Sequence, residues 1–275
     1  MKDLIIVRGG GDMATGVIHR LWSAGFEVMA LETDKPVAVR RRVAVSEAVY
    51  DGTAVVEDMK AVLIHNASEA RGVLAAGNVP VLVDPQCRSI MELKPAVLVD
   101  AIIAKRNTGL QIDMAPVTIA LGPGFFAGED ADYVIETNRG HNLGRIIKSG
   151  TTSRNTRTPG NIGGYTMERV IRAEHSGLLH VYHDIGEFVE KGETVAAIEN
   201  EEGSFEYKAE LSGIIRGMLR DDFRITKGTK IADIDPRKES YHNCFTISDK
   251  ARCIAGSVLE LVCRYRSQED KENER

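Results

Sequence analysis

The chain has 275 residues, which is long enough to bury a substantial core and to form one larger domain with a smaller one. Hydrophobic residues make up 43% of it, charged residues 27%, and the net charge is −5, so neither nucleic acid nor an anionic membrane surface is an expected partner. No apolar run reaches the roughly 18 residues that a transmembrane helix needs, and no secretory signal is visible, so the sequence predicts a cytoplasmic protein.

The first 32 residues have the pattern of a mononucleotide-binding unit. An apolar run over residues 4–7 leads into the glycines Gly9–Gly11, and a helical pattern and a second strand follow. In such units the glycine backbone approaches a pyrophosphate, and an acid about 20 residues further on holds a ribose hydroxyl, the position of Glu32. Asp12 sits where a phosphate would approach, which favours a cation or a ligand other than NAD. The alternative is that the glycines serve only the turn.

Three consecutive arginines, Arg40–Arg42, follow in a strand-like segment. One interpretation is a phosphate clamp near the nucleotide, because arginine forks match phosphate geometry. The other is a solvated edge that resists unwanted strand pairing.

The later predicted strands all end in loops that carry glycines or charged and amide side chains. These strands cover residues 61–64, 79–83, 96–104, 117–121 and 133–136. Because ligands bind outside the carboxyl ends of strands in open α/β sheets, the loops are expected to meet at one crevice. The predicted ligand-binding residues are Gly9, Gly10, Gly11, Asp12, Glu32, Lys105, Arg106, Asn107, Gly122, Gly124, Arg139 and Arg145. The competing interpretation is that the charged members are simply solvated.

Cysteine spacing gives no sign of a metal centre. The four cysteines are Cys87, Cys244, Cys253 and Cys263, and no pair has the short interval typical of zinc ligands. Thiols in a cytoplasmic protein are mostly reduced. We therefore expect mainly structural thiols and no metal site.

Residues 171–236 change to short predicted strands with an internal repeat. VEKGETVA at 189–196 is matched by ITKGTKIA at 225–232, and the segment resembles the biotinyl/lipoyl, or barrel-sandwich hybrid, fold. The hairpin tip at 200–203 has no lysine, so neither biotin nor lipoate is expected. The predicted fold is thus a Rossmann-like, mostly parallel α/β domain over 1–165, a β module over 171–236, and a C-terminal strand and helix over 237–275 that pack back on the first domain.

Several stretches distributed over nearly the whole chain carry a family resemblance. They are GGGDMATG (9–16), residues 100–107, ALGPGFFAG (120–128), ETNRGHNLGR (136–145) and SDKARCIAGSVLE (248–260). Together they resemble the accessory protein family of selenium-dependent molybdenum hydroxylases, which is similar in role to the xanthine dehydrogenase accessory factors. The resemblance implies a maturation protein that binds a molybdopterin dinucleotide or a similar nucleotide at the strand ends and has a molybdenum hydroxylase as partner.

Two residues are predicted to do chemistry in that protein. His141 would move a proton, and Cys87 would carry sulfur or selenium as a persulfide-like adduct. The competing interpretation makes Cys87 a buried apolar thiol and His141 a structural side chain. Whether the protein turns over a substrate, and whether it forms a homo-oligomer, both stay open.

Two other functions remain alternatives. One is an NAD(P)-dependent oxidoreductase, in which Glu32 favours NAD and Arg40–Arg42 favour NADP. The other is a non-catalytic scaffold whose β module docks a partner enzyme.

Overall fold

The computed structural model describes residues 3–155 and 159–273 and divides the chain into two compact units. Unit 1 takes the described residues of Met1–Pro36, Ala44–Asn155 and Ile247–Arg275. Unit 2 takes those of Val37–Val43 and Thr156–Thr246, so the segment with the three arginines belongs to unit 2. Among the described residues, no helix is both long enough and apolar enough to cross a membrane.

A nine-stranded mixed sheet forms the centre of unit 1. Its strands are β1 (Ile5–Arg8), β2 (Val28–Glu32), β3 (Thr53–Val56), β4 (Met59–Ile64), β5 (Val79–Val83), β6 (Val97–Asp100), β7 (Val117–Leu121), β8 (Tyr133–Ile135) and β9 (Ile146–Ile147). Their order is β3-β4-β5-β2-β1-β6-β7-β8-β9. Neighbours from β4 to β8 run parallel, whereas β3 and β9 are antiparallel edge strands. The central strands β1 and β6 are buried throughout, which explains why each begins with three apolar residues.

The α-helices of the described chain all lie in unit 1. They are α1 (Asp12–Ser23), α2 (Ala48–Asp51), α3 (Ala70–Ala75), α4 (Ile90–Leu93) and α5 (Asp249–Asn273). The longest two, α1 and α5, pack on each other through small residues: a Cβ placed on Gly16 would lie only 2.7 Å from the Cβ of Ala251. Short 3-10 helices occur at Arg41–Val43, Val45–Glu47, Ala67–Glu69, Ile112–Met114, Met167–Arg169 and Lys238–Cys244.

Unit 2 consists of two four-stranded antiparallel sheets. Its strands are β10 (Val170–Arg172), β11 (Gly177–Val181), β12 (Phe188–Val189), β13 (Thr194–Asn200), β14 (Gly203–Lys208), β15 (Gly213–Met218), β16 (Arg224–Ile225) and β17 (Lys230–Asp235). The orders are β10-β17-β15-β12 and β14-β13-β11-β16. Each half of the sequence repeat begins in one sheet and ends in the other, so its apolar residues meet in a shared core.

The predicted fold class, a Rossmann-like domain with a barrel-sandwich hybrid module, is wrong. The large sheet is mixed and has an antiparallel strand at each edge, and unit 2 forms two separate antiparallel sheets. A doubly wound fold needs a helix between successive parallel strands. The connections β6–β7 and β7–β8 contain no α-helix. The prediction relied on the residues at the strand ends, and these look the same in sequence whether or not a helix follows.

Candidate functional site

The glycine turn after β1 is closed by other loops of unit 1. Gly9 has a φ of +96°, and a Cβ there would lie 3.2 Å from the backbone of Ile102. A Cβ on Gly10 would lie 2.8 Å from the backbone nitrogen of Ser46, whose N–H donates to the Gly10 carbonyl at 2.9 Å. These two glycines are therefore required by the close approach of neighbouring backbone.

Glu32 is engaged by the backbone on both carboxylate oxygens. It accepts a hydrogen bond from the N–H of Gly10 at 2.7 Å and another from the N–H of Thr33 at 2.7 Å. Burial raises the pKa of Glu32, and the two N–H donors oppose that rise. The acid expected on a ribose hydroxyl thus holds the glycine turn instead, and the Gly10 N–H expected on a pyrophosphate is already used.

A buried ion pair joins the ends of two central strands. Arg8, the last residue of β1, donates to Asp100, the last residue of β6, at 2.5 Å, and their side chains are only 3% and 1% exposed. Burial raises the pKa of Asp100, and the charge of Arg8 opposes the rise. Neither residue was among the predicted site residues, because a single charge at a strand end has no distinctive local pattern.

Cys87 lies beside this ion pair, in the loop after β5, and is buried. Burial raises the pKa of its thiol, whereas the neighbouring guanidinium of Arg8 acts in the opposite direction. A thiol with a raised pKa has little of the thiolate that nucleophilic or persulfide chemistry requires. The geometry favours a packing role for Cys87.

Thiol labelling of the native protein should separate the cysteines into two pairs. Cys253 and Cys263 are exposed and should react with a disulfide reagent such as Ellman's reagent, whereas Cys87 and Cys244 are buried and should react only after unfolding. Burial also raises the pKa of Cys244, which further slows its reaction. Mass spectrometry of the labelled peptides checks this, and rapid native labelling of Cys87 would contradict the packing role.

The loops after β6 and β7 contact each other directly. A Cβ on Gly124, which has a φ of +108°, would lie 2.5 Å from the Cα of Arg106. Gly122 lies against the hydroxyl of Thr137, where a Cβ would be 2.6 Å away. The structure thus brings the predicted residues of these loops together, but through backbone packing at the glycines. The side chains of Lys105 and Arg106 are exposed.

Asn107 holds its own loop. Its side-chain NH₂ donates to the Leu110 carbonyl at 2.9 Å and to Asp130 at 3.0 Å. Its side-chain oxygen accepts the N–H groups of Gly109 at 2.9 Å and Leu110 at 2.8 Å. With both ends of the amide occupied, Asn107 acts as a structural side chain.

The predicted site residues in the segment after β8 have exposed side chains. His141 is exposed, and Arg145, also exposed, donates to the side chain of Asn142 at 3.3 Å. Arg139 makes a two-pronged ion pair with Asp249, at 2.8 and 2.9 Å. That pair ties the β8 segment to the first turn of α5.

The predicted arginine clamp lies in unit 2 and is occupied there. Arg40 donates to the carbonyls of Asn243 at 2.8 Å and Thr246 at 3.0 Å. Arg41 forms a hydrogen-bonded ion pair with Asp184. The segment forms a 3-10 helix, Arg41–Val43, where a strand was predicted.

Lys250 is the charged residue that the sequence analysis missed. It lies in the first turn of α5 with a half-buried side chain, and among the described residues its ammonium forms no hydrogen bond or ion pair. Burial lowers the pKa of Lys250, and the nearby positive charge of Arg139 lowers it further. Asp12, Glu136 and Asp249 lie within electrostatic range and act in the opposite direction.

Asp12 is the first residue of α1, and one turn further along that helix Gly16 packs against Ala251, the residue after Lys250, so Lys250 lies near the N-terminal part of α1. Gly11 occupies the N-cap position with extended backbone, and within residues 3–155 and 159–273 no side-chain hydrogen bond caps the helix. A Cβ on Gly11 would meet no atom of the described residues within 4 Å. The N–H groups of a first helical turn carry a partial positive charge that attracts anions.

Glu136, at the end of β8, is a buried carboxylate held by backbone. It accepts the N–H groups of Asn138 and Ser153, both at 2.7 Å. Burial by itself would raise the pKa of Glu136, but these donors bring it below the usual value. Its charge is therefore satisfied by the loop around it.

Comparison with known proteins gives one close sequence relative and only remote structural similarity. No protein-family model matches the chain. An uncharacterized protein of Escherichia coli K12, YqeB, is 49% identical over 260 residues, which cover 94% of this chain and 47% of the relative. The chain thus spans about half the length of the curated relative that it matches.

The solved structures that are similar to this chain have low TM-scores. The ectoine utilization protein EutE of Ruegeria pomeroyi has a TM-score of 0.29 at 11% identity, covering 85% of this chain and 86% of that one. A succinylglutamate desuccinylase/aspartoacylase of Rhodobacter sphaeroides has a TM-score of 0.26 at 15% identity, covering 78% and 61%. An aspartoacylase family protein of Mesorhizobium loti has a TM-score of 0.27 at 9% identity, covering 85% and 84%. TM-scores this low support no inference about function.

The family assignment made from the sequence is contradicted. The relative is an uncharacterized protein, the similar structures are ectoine utilization, desuccinylase and aspartoacylase proteins, and nothing among them points to a molybdenum hydroxylase accessory family. The predicted maturation of a selenium-dependent molybdenum hydroxylase is therefore wrong. The NAD(P)-dependent oxidoreductase and the docking scaffold are not supported either. The backbone bonds of Glu32 give a physical reason to abandon the dinucleotide.

Proposed function

We propose that unit 1 binds a small molecule with a carboxylate or phosphate group at the N-terminus of α1, where Lys250 supplies the cation that recognises it. The observation that carries this proposal is the half-buried side chain of Lys250, whose ammonium has no hydrogen bond or ion pair among the described residues, beside the 12-residue helix α1, which none of those residues caps with a side chain. A helix N-terminus and a lysine together supply N–H donors and a positive charge to one anion.

The carboxylates near Lys250 have partners of their own. Asp249 is paired with Arg139, and Glu136 is held by backbone N–H groups. Asp12 is the carboxylate that would compete with a bound anion for Lys250. Removing the charge of Asp12 should therefore strengthen anion binding, whereas removing Lys250 should weaken it.

Calorimetric titration with inorganic phosphate tests the proposal. Lys250→Ala is expected to weaken phosphate binding by about 10-fold to 100-fold, the equivalent of a charge-assisted hydrogen bond of about 1.5–3 kcal/mol. Asp12→Asn is expected to strengthen it. The matched control is Lys60→Ala, which removes an exposed lysine of β4 in the same unit and should leave the affinity unchanged.

Two outcomes would contradict the proposal. One is equal phosphate affinity in the wild type and Lys250→Ala; the other is equal losses in Lys250→Ala and Lys60→Ala, which would show unspecific attraction.

The predicted cytoplasmic location, the protein partner and a homo-oligomer remain predictions.

A further inference from the structure

We propose that unit 2 binds a divalent transition-metal ion through His180, Asp221 and Asp222. His180 lies in β11, and the two aspartates lie between β15 and β16. One ligand atom from each of these side chains lies within 4.8 Å of the others. The site belongs to the other unit and does not depend on the anion site of unit 1.

Backbone hydrogen bonds hold both aspartates against β11. The N–H of Asp222 donates to the Leu179 carbonyl at 2.9 Å, on one side of His180. On the other side, the N–H of Val181 donates to a carboxylate oxygen of Asp221 at 2.8 Å. The ligand set therefore comes from two chain segments whose relative position is determined by the sheet.

A neighbouring carboxylate orients the imidazole of His180. Its Nε2 lies 3.1 Å from a carboxylate oxygen of Glu199 on the paired strand β13. Because a carboxylate only accepts, Nε2 carries the hydrogen of the neutral ring, and the lone pair is on Nδ1. Nδ1 is 3.8 Å from Asp222, too long for a hydrogen bond. Metal-binding histidines are commonly held in this way, with the second nitrogen on a carboxylate.

Two other histidines near acids lack this arrangement. His183 has Nδ1 2.9 Å from Glu187 and Nε2 3.2 Å from Glu193, so both of its nitrogens are engaged. His19 lies with Glu57 and Asp58, and both carboxylates face its Nε2. Arg252 donates to Glu57 at 2.6 and 2.8 Å, which compensates the charge of that carboxylate. The His180 group is therefore the stronger metal site of these three, and His183 provides a matched control in the same unit.

The donor set indicates the kind of ion. One imidazole nitrogen with carboxylate oxygens suits zinc and related first-row divalent ions better than magnesium or calcium, which prefer oxygen ligands alone. Zinc bonds of about 2.0–2.2 Å require the three ligand atoms to come closer together. Both aspartates are exposed, so rotation of their side chains can supply that movement. Water would complete the coordination.

Zinc titration of the full chain tests the site. Exposed thiols are able to bind zinc, so the experiment uses a chain with Cys253→Ser and Cys263→Ser after removal of metal by chelation. We expect binding of one zinc ion per chain. His180→Ala and Asp222→Asn should each weaken it at least about 10-fold, and Glu199→Gln, which removes the negative charge beside the imidazole, by about 10-fold. His183→Ala should leave the affinity unchanged.

The same titration can overturn the proposal. Absence of one-to-one zinc binding would do so, as would unchanged affinity in Asp222→Asn, a surface change that leaves the fold intact. Equal losses in His180→Ala and His183→Ala would show unspecific binding to histidines. A second readout is hydrogen exchange at the Val181 amide, which zinc should slow in the parent chain and leave unchanged in Asp222→Asn.

Discussion

Replacement of Asp100 by asparagine is expected to lower the free energy of unfolding by about 3–5 kcal/mol, because it leaves a buried guanidinium without its counter-charge. Arg8 and Asp100 are almost completely buried, and their side chains meet at 2.5 Å. Arg8 also donates to the Thr108 carbonyl at 3.3 Å, and its buried Nε has no partner among the described residues. Asparagine can still accept a hydrogen bond, but it cannot neutralise the charge. Urea unfolding followed by the fluorescence of Trp22 measures the loss.

An exposed ion pair provides the control for this experiment. Arg264 and Glu260, four residues apart on α5, meet at 2.6 Å with about half of each side chain exposed. Glu260→Gln should cost at most about 0.5 kcal/mol. The double variant Arg8→Met with Asp100→Leu should recover much of the stability lost in Asp100→Asn, since an apolar pair leaves no charge to solvate. Equal costs for Asp100→Asn and Glu260→Gln would show that the ion pair is not buried in solution.

Gly124→Ala is expected to destabilise the protein by about 2–5 kcal/mol, from the left-handed backbone and from the overpacked contact together. The φ of Gly124 is +108°, and the new Cβ would lie 2.5 Å from both Cα and N of Arg106. Backbone atoms cannot rotate away as a side chain would, so one of the two loops has to move. Unfolding in urea again measures the effect.

Gly109→Ala isolates the contribution of the backbone angle. Gly109 has a nearly identical φ of +109°, but a Cβ there would meet nothing within 4 Å. We therefore expect a loss of about 1–2 kcal/mol, which is the cost of the left-handed conformation alone. If both variants lose the same amount, the loops after β6 and β7 do not touch in solution.

The local pattern of the sequence was sufficient to locate many of the elements. The apolar runs at 79–83 and 117–121 correspond to β5 and β7, and the helical stretch that ends before Gly25 is α1. These elements depend mainly on residues within them, which is why periodicity finds them. The arrangement of the sheet was not predictable in this way, since antiparallel edge strands and missing crossover helices are decided by long-range pairing.

The roles of single polar residues were the least predictable part. Glu32 could be assigned to a ribose only as long as its partner 22 residues away, the Gly10 N–H, was unknown. Arg40 satisfies carbonyls more than 200 residues away in sequence, Asn243 and Thr246. Lys250 has an ordinary helix-start sequence around it, and its environment is made by α1 and the end of β8. Contacts at such distances have no signature in a single sequence.

The most direct measurement of the proposed anion site is an amide nitrogen–proton NMR spectrum recorded during titration with inorganic phosphate. We expect saturable shifts of the Asp12 and Met13 amides, at the N-terminus of α1, with one common dissociation constant. Those shifts should require much higher phosphate in Lys250→Ala and should be unchanged in Lys60→Ala. Shifts that do not saturate, or that occur at other amides while Asp12 and Met13 stay in place, would contradict it.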